Sequence, residues 1–345
     1  MCITHVSTRS LRFSNVLVVV KQSAYETYMQ MKAQGNAPVA LRWSRLKNRY
    51  EVHRSCLGAV VSLLEKVGCN HHVVERAEMH RGMLDGKDLV ITVGGDGTVL
   101  NAASFVGNDI PVLGINSDPT KPEELGVNKV EDERRSRGAL CALSANNIND
   151  LLPLALTGQL SPRTRTRIQC VVKSTHTETK LAPALNDILI AHPNPAQISR
   201  FRMTLYHNPR FYENSNTIFK PDPPDMQKLF SFNAWCSGMW ICTATGSTAA
   251  MSAAGGDVME LSSKSLQYMV REHLVEQGQE HLKAAAHGIV GRDQIIKVRW
   301  NSQHGCVFVD GSHMEHSLQL GDEVAVDGHA PTLEIFEVPH DIDVL

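Results

Sequence analysis

Val90-Ile91-Thr92-Val93-Gly94-Gly95-Asp96-Gly97-Thr98-Val99-Leu100 is the stretch whose reading decides the fold of this chain. Four β-prone residues run into a Gly-Gly-Asp-Gly-Thr turn, and an apolar, Ala-rich run follows to Val106. That order reads as strand, tight turn, helix. Glycines 94, 95 and 97 permit positive φ and, lacking a Cβ, let backbone N–H groups close around a phosphate. Thr98 can cap the helix, whose positive end faces the same anion. Asp96, at the tip, is left to bind Mg²⁺ or to accept a hydroxyl proton. A lone Asp-Gly would be only a turn. Two glycines before the Asp and a Thr after it, directly off a buried-type strand, favour a phosphate site.

Working outward, Asn15–Val20 reads as a fully buried strand, Asp88–Val93 feeds the turn, and Pro111–Asn116 is another strand. Residues 21–50 read as a loop with a short helix. Leu57, Val60, Val61 and Leu64 fall at helical spacing between His53 and Val67, and Gly68 ends that run. Strands alternating with helices imply a parallel, helix-covered sheet, whose ligands sit beyond the carboxyl ends of the strands, where Asp96 and Asn116 fall. Glu123–Gly138 is charged and reads as a solvated loop, and Asn149–Leu156 as a packing helix. Near residue 160 the pattern changes to short β-rich runs: Arg167–Val172, Leu185–Ala191, Phe201–His207, Met239–Thr243, Ile295–Trp300, Cys306–Val309, Glu323–Val326 and Leu333–Val338. Turn signals such as Asp310-Gly311 and Asp327-Gly328 separate many of them, the pattern of an all-β domain. The expected division is an α/β domain over 1–160, a β-rich domain over 161–338 and a tail over 339–345, with Asn208–Lys228 a long surface loop.

A chain of 345 residues is comfortable for two domains, and 42% hydrophobic with 20% charged residues fits an ordinary soluble protein. A net charge of −2 argues against a dedicated nucleic-acid binder. Eight cysteines (2, 56, 69, 141, 170, 236, 242 and 306) form no C-x-x-C pair, which suits reduced thiols and a cytoplasmic location. No run approaches a membrane span.

Cys242-Thr243-Ala244-Thr245-Gly246-Ser247-Thr248-Ala249 leaves a strand for small, hydroxylated residues, followed by Gly255-Gly256. Small residues let a planar ligand approach the backbone and hydroxyls can bond ribose or phosphate, although a Ser/Thr-capped helix start reads equally well. Asn186-Asp187 sits at the start of an apolar strand, where adjacent side chains face opposite ways and only one meets a given ligand. Arg200 and Arg202 read best as a solvated strand face. Arg163, Arg165 and Arg167 alternate along one exposed edge. His313 and His316 have no acidic or Cys companion at ligand spacing and read as surface histidines. The P-loop, G-x-G-x-x-G and H-E-x-x-H templates are missing, which disfavours a P-loop kinase or an ordinary dehydrogenase.

Taken together, these stretches resemble the NAD kinase family from about residue 85 to 330, and within it the plant-type NADH kinases. Gly94-Gly95-Asp96-Gly97-Thr98 is shared with diacylglycerol-type lipid kinases. Thr243–Ala249 with Gly255-Gly256 is specific to NAD kinases. Asn186-Asp187 resembles the family's Asn-Glu pair, and Asp310-Gly311 its late Asp-Gly strand end. Asn186–Ala191, Ser199-Arg200-Phe201, Ile241–Gly256 and Met269-Val270-Arg271-Glu272 carry the likeness to the plant type. The resemblance implies an α/β N-terminal Rossmann-like domain with an all-β C-terminal domain. It implies transfer of the γ-phosphoryl of ATP, with Mg²⁺, to the adenosine-ribose 2′-hydroxyl of NADH or NAD⁺. Asp96 would be the catalytic carboxylate, with Gly94, Gly95, Gly97 and Thr98 on phosphate. Asn186 and Asp187 would hold the adenosine part, and Thr243, Ala244, Thr245, Gly246 and Ser247 would line the dinucleotide cleft beside Asn116. No fixed metal site of the protein's own is expected, and the family implies a homodimer. Two positions depart from its pattern: Ala250 replaces a Tyr, and Ser237 stands where an Asp often precedes Gly238. Without that carboxylate near the nicotinamide end, the preference for a positive, oxidised ring is lost, so NADH is expected to be accepted at least as readily as NAD⁺. The alternatives are a lipid kinase and a catalytically silent NADP(H)-binding sensor.

Overall fold

A computed structural model describes residues 10–120, 137–208, 226–278 and 280–337. The expected loops at 123–138 and 208–228 lie largely outside these residues. The chain divides into two compact units, residues 1–163 with 334–345, and Thr164–Leu333.

The first unit is built on β1 (Asn15–Val20), α1 (Ala24–Ala33), α2 (Trp43–Lys66), β2 (Asn70–Glu75), β3 (Leu89–Gly94), α3 (Asp96–Phe105), β4 (Val112–Asn116), β5 (Leu143–Ser144) and α4 (Ile148–Leu156). Strands β2, β1, β3 and β4 lie side by side and parallel, with Val16 opposite Leu89 and Val90 opposite Val112. All six residues of β3 and all five of β4 are buried, which explains their near-continuous apolar character. Helix α2 lays Cys56, Leu57, Val60 and Leu64 on this sheet at three- and four-residue spacing. Residues 21–50 are therefore more helical than expected. Helix α1 opens with a capping box, Ser23 and Glu26 exchanging side-chain and backbone bonds, and buries none of its residues. Helix α2 starts ten residues before His53.

The chain leaves the first unit through β6 (Arg163–Arg165). In the second unit follow β7 (Gln169–Lys173), β8 (Glu178–Lys180), β9 (Asp187–Ala191), β10 (Ser199–His207), β11 (Gln227–Cys236), β12 (Gly238–Cys242), α5 (Ala250–Ala253), β13 (Leu266–Arg271), α6 (His281–Ala285), β14 (His287–Val290), β15 (Gln294–Trp300), β16 (His304–Val309), β17 (Glu315–Gln319) and β18 (Glu323–Asp327). They form two six-stranded antiparallel sheets, ordered β11-β10-β15-β18-β7-β8 and β14-β13-β12-β9-β16-β17, that share one core. Phe201 and Trp300 stack in it with ring centroids 6.2 Å apart. Alternation along β9 sends Ile188 and Ile190 into that core and leaves Asp187, Leu189 and Ala191 on the outer face.

The last strand, β19 (Leu333–Ile335), was expected with the β-rich domain. Instead Ile335 pairs parallel with Val112 of β4, and the Phe336 amide donates to the Val112 carbonyl at 3.0 Å. Arg165 and Arg167 correct another expectation. They are 6% and 0% exposed rather than on an open edge: Arg165 donates to the Leu261 carbonyl, and Arg167 to those of Pro331 and Thr332. Arg200 lies over Trp235 at 4.8 Å and Arg202 donates to Asn233, both on an exposed strand face as expected.

Candidate active site

In the first unit the quoted stretch folds as strand, turn and helix, but its glycines do not use the positive φ that was expected of them. Gly94, Gly95 and Gly97 are absent from the positive-φ residues. Gly94 is required by close approach: a Cβ there would lie 2.9 Å from the Thr98 Cβ and 3.2 Å from that of Lys21. Gly95, extended at φ −126°, is the N-cap of α3, and no side chain caps the helix. Thr98 is therefore not the cap. It sits inside the first turn, buried against Gly94, with its amide donating to the Gly95 carbonyl. The uncapped first-turn amides are the anion-binding feature that remains.

Asp96 is held by two backbone amides, Leu140 to Oδ1 at 2.8 Å and Ala139 to Oδ2 at 3.2 Å. Its orientation is fixed, and each oxygen keeps a lone pair for a cation or a hydroxyl proton. Asn116 ends β4 directly opposite Gly94, and the next amide, that of Ser117, donates to the Gly94 carbonyl. Behind this row lies a polar cluster that sequence reading did not find. His53 of α2, 1% exposed, shares a 2.8 Å bond between Nδ1 and the Ser117 hydroxyl. Burial, then the charge of Lys21, lower the His53 pKa to about 4, so the ring is neutral.

In the second unit, Asn186, Asp187 and the 243–247 segment form one assembly. Thr243 donates its hydroxyl to the Leu185 carbonyl at 2.5 Å and its amide to that of Asn186 at 2.9 Å. Gly246 packs so closely on Asn186 that a Cβ there would lie 2.8 Å from the Asn186 Cα. The Ser247 hydroxyl donates to the Ala244 carbonyl and accepts the Met259 amide. The expected ligand hydroxyls of Thr243 and Ser247 are thus buried and used by the backbone, as is the body of Ala244, while Thr245 is half-buried. Asn186 presents a buried Oδ1 with no hydrogen-bond partner, an acceptor that a bound ligand would satisfy.

Asp310, the residue after β16, grips the same segment. Its carboxylate accepts the amides of Leu185, Asn186 and Asp187 at 2.7, 2.7 and 3.0 Å, and its backbone takes the left-handed φ of 50° that Asp tolerates. Its sequence signals were the Asp-Gly turn and the resemblance of Asp310-Gly311 to the family's late strand end; neither pointed to its grip on residues 185–187. Burial and the neighbouring Asp310 charge raise the Asp187 pKa to about 7. Burial raises Asp310 as well, but its three amide bonds and Arg167 oppose the rise. Asp187 is therefore the member that takes up a proton first as pH falls.

Asp187 also opens onto a pocket of about 540 Å³ on the outer sheet face, floored by Leu189, Trp240 and Phe308. Ser237 lies at its edge and donates to the Glu272 carboxylate; Arg271 is 3.8 Å from that carboxylate and 5.6 Å from the Trp240 ring centre. His313 is exposed and His316 half-buried, and no group of three or more His, Cys, Asp or Glu residues suited to a metal occurs among the described residues.

A carboxylate fixed in a glycine turn at a helix start, in one unit, and a pocket opened by Asp187 of the Thr243–Ser247 assembly, in the other, suit the phosphotransferase class. Residues 9–118 match the model of the ATP-NAD kinase N-terminal domain. The chain is 40% identical over 293 residues to a probable NADH kinase of Oryza sativa subsp. japonica, covering 84% of this chain and 83% of that protein. It is 38% identical to the NADH kinase of Arabidopsis thaliana, covering 84% and 85%. In fold it is similar to yeast NADH kinase complexed with NADH, with a TM-score of 0.61 at 15% identity, over 96% of this chain and 85% of that one. An Archaeoglobus fulgidus NAD kinase in complex with ATP gives 0.58 at 17% identity, over 94% and 93%. The chain belongs to the NAD kinase family.

Proposed function

We propose that this enzyme transfers the γ-phosphoryl group of ATP to the 2′-hydroxyl of the adenine ribose of NADH, and that it takes NADH at least as readily as NAD⁺. The observation that carries the reading is Asp96, aimed by the Ala139 and Leu140 amides at the uncapped start of α3. A loose phosphoryl-transfer transition state asks mainly for alignment and charge neutralisation. The turn amides supply the second, and Asp96 can accept the proton of the attacking hydroxyl. Mg²⁺ enters with ATP, and Asp96 is the carboxylate of the turn suited to an oxygen-seeking cation. Asn186, with its open acceptor, and Asp187 hold the dinucleotide, with Thr243–Ser247 shaping the backbone around it. The names of the plant relatives support NADH as acceptor.

In the pocket, the Arg271 and Glu272 charges offset one another and Ser237 adds none. An added carboxylate at 237 that favours the oxidised ring by ~1.4 kcal/mol would change the affinity ratio tenfold. The same reading has a homodimer, with exposed apolar side chains such as Trp235 and Leu274 available to a second copy, and a cytoplasmic location that suits the seven buried free thiols among the described residues.

The test is a coupled assay with ATP and Mg²⁺ in which NADH and NAD⁺ are supplied separately to the wild type, Asp96→Asn and Ser237→Asp. Product from NADH that disappears in Asp96→Asn, and an NADH/NAD⁺ ratio of kcat/KM that falls in Ser237→Asp, are expected. NADP(H) binding without product from either dinucleotide would point to the silent sensor, and neither binding nor product to a lipid acceptor.

A further inference from the structure

Lys21 is the first residue beyond β1, at the same end of the sheet as the Gly94–Thr98 turn. Its amide donates to the Val93 carbonyl at 3.1 Å, and its Cβ would lie 3.2 Å from a Cβ on Gly94, so the side chain leaves the backbone directly beside the turn. It is half-buried, and among the described residues its ammonium has no hydrogen bond or ion pair. The charges around it do not balance. Asp118 attracts it from beyond β4, Arg49 of α2 repels it, and Cys56, the third neighbour, is kept a neutral thiol by burial. Burial is the largest influence on Lys21 and lowers its pKa, as expected of a cation that has lost water and is only partly compensated by Asp118.

The backbone around Lys21 is firmly held. The buried His53 ring bonds the Ser117 hydroxyl on one side and the Lys21 backbone on the other, and so ties the ends of β1 and β4 together across β3. A desolvated, unpaired ammonium is costly unless an anion completes it. The bare amides at the start of α3 favour an anion at the same end of the sheet.

We infer that Lys21 is a phosphate-binding residue of this enzyme, its ammonium pairing with a nucleotide phosphate beside the Gly94–Thr98 turn. The inference rests on the kinase reading above. The phosphate belongs either to the triphosphate of ATP or to the pyrophosphate of the dinucleotide, and steady-state kinetics separate the two. In Lys21→Met, KM for the nucleotide that carries the contacted phosphate rises about tenfold to a hundredfold, the range for loss of a charge-assisted hydrogen bond. KM for the other nucleotide changes less than about threefold, since a loss confined to one nucleotide is uniform binding lost. Because methionine relieves an unpaired buried charge, the variant melts no lower than the wild type, whereas a purely structural lysine would lower the melting temperature and leave both KM values unchanged.

Melting with inorganic tripolyphosphate gives a readout that needs no catalysis. It is expected to stabilise the wild type and to stabilise Lys21→Met clearly less. Lys21→Gln takes the place of the methionine variant if that does not fold. Unchanged KM values for both nucleotides together with an unchanged tripolyphosphate shift would overturn the assignment. A wild type inactive on both dinucleotides would instead remove the kinase reading, with the melting comparison still deciding on Lys21.

Discussion

The buried pair Asp187 and Asp310 makes stability depend on pH in the direction opposite to an ordinary ion-paired aspartate. Asp187 has a folded pKa near 7 against 3.8 when unfolded, because burial and the Asp310 charge both disfavour its ionised form. Between those values the folded state binds the extra proton, so stability falls as pH rises. The stabilising contribution is complete below about pH 4 and lost as pH passes about 7. Replacing Asp187 with Asn removes the titration and keeps the shape. With about 1.4 kcal/mol per pKa unit, the advantage of the Asn variant over the wild type grows by up to about 3 kcal/mol between pH 5 and pH 8.5. Sharing that cost with Asp310 brings it toward about 1–2 kcal/mol, or about 3–6 °C for a unit of this size. The assay is paired thermal melting of wild type and Asp187→Asn across that range, where subtracting one from the other cancels the titrating groups outside the Asp187–Asp310 pair. A gap that stays constant with pH, or that narrows as pH rises, would refute the assignment of the shared charge to this pair.

Two further outcomes follow from close packing. Gly246→Ala places a methyl against the Asn186 backbone, which cannot yield as a flexible side chain would. It is expected to cost about 1–3 kcal/mol in urea unfolding and to raise KM for the dinucleotide, and a variant with wild-type stability would show that the Asn186 assembly is loosely held. Ser117→Ala removes the hydroxyl partner of buried His53 Nδ1. A loss of about 1–3 kcal/mol is expected there, and a difference below about 0.5 kcal/mol would mean that the imidazole finds another partner.

The parts of this molecule legible in its sequence are those where burial imposes a period. β1, β3 and β4 are buried on both faces and so read as apolar runs, and the Gly-Gly-Asp-Gly-Thr turn could be placed because it ends one of them. α1, the short helix expected somewhere within 21–50, could not be placed because it buries nothing and has no apolar stripe, although its capping box, Ser23 to Glu26, is there to be read. The first half of α2 was missed for a similar reason, since it carries no run of buried positions before His53. Arg165 and Arg167 show the opposite failure. Alternation along a short strand says that two side chains share a face, but not that the face meets carbonyls near residues 261 and 331, which turn an apparently exposed edge into a buried one. The candidate site residues follow the same division. Asp96 lies within a local pattern and can be singled out from it. Asp310, which aligns Asn186 and Asp187, and the Lys21–His53–Ser117 cluster join residues far apart in the chain whose individual types are unremarkable. Periodicity reports which face of an element is buried. What a buried polar group meets there depends on the fold as a whole, and it is at such groups, Asn186 with its open acceptor and Lys21 with its unpaired charge, that a ligand has most to complete.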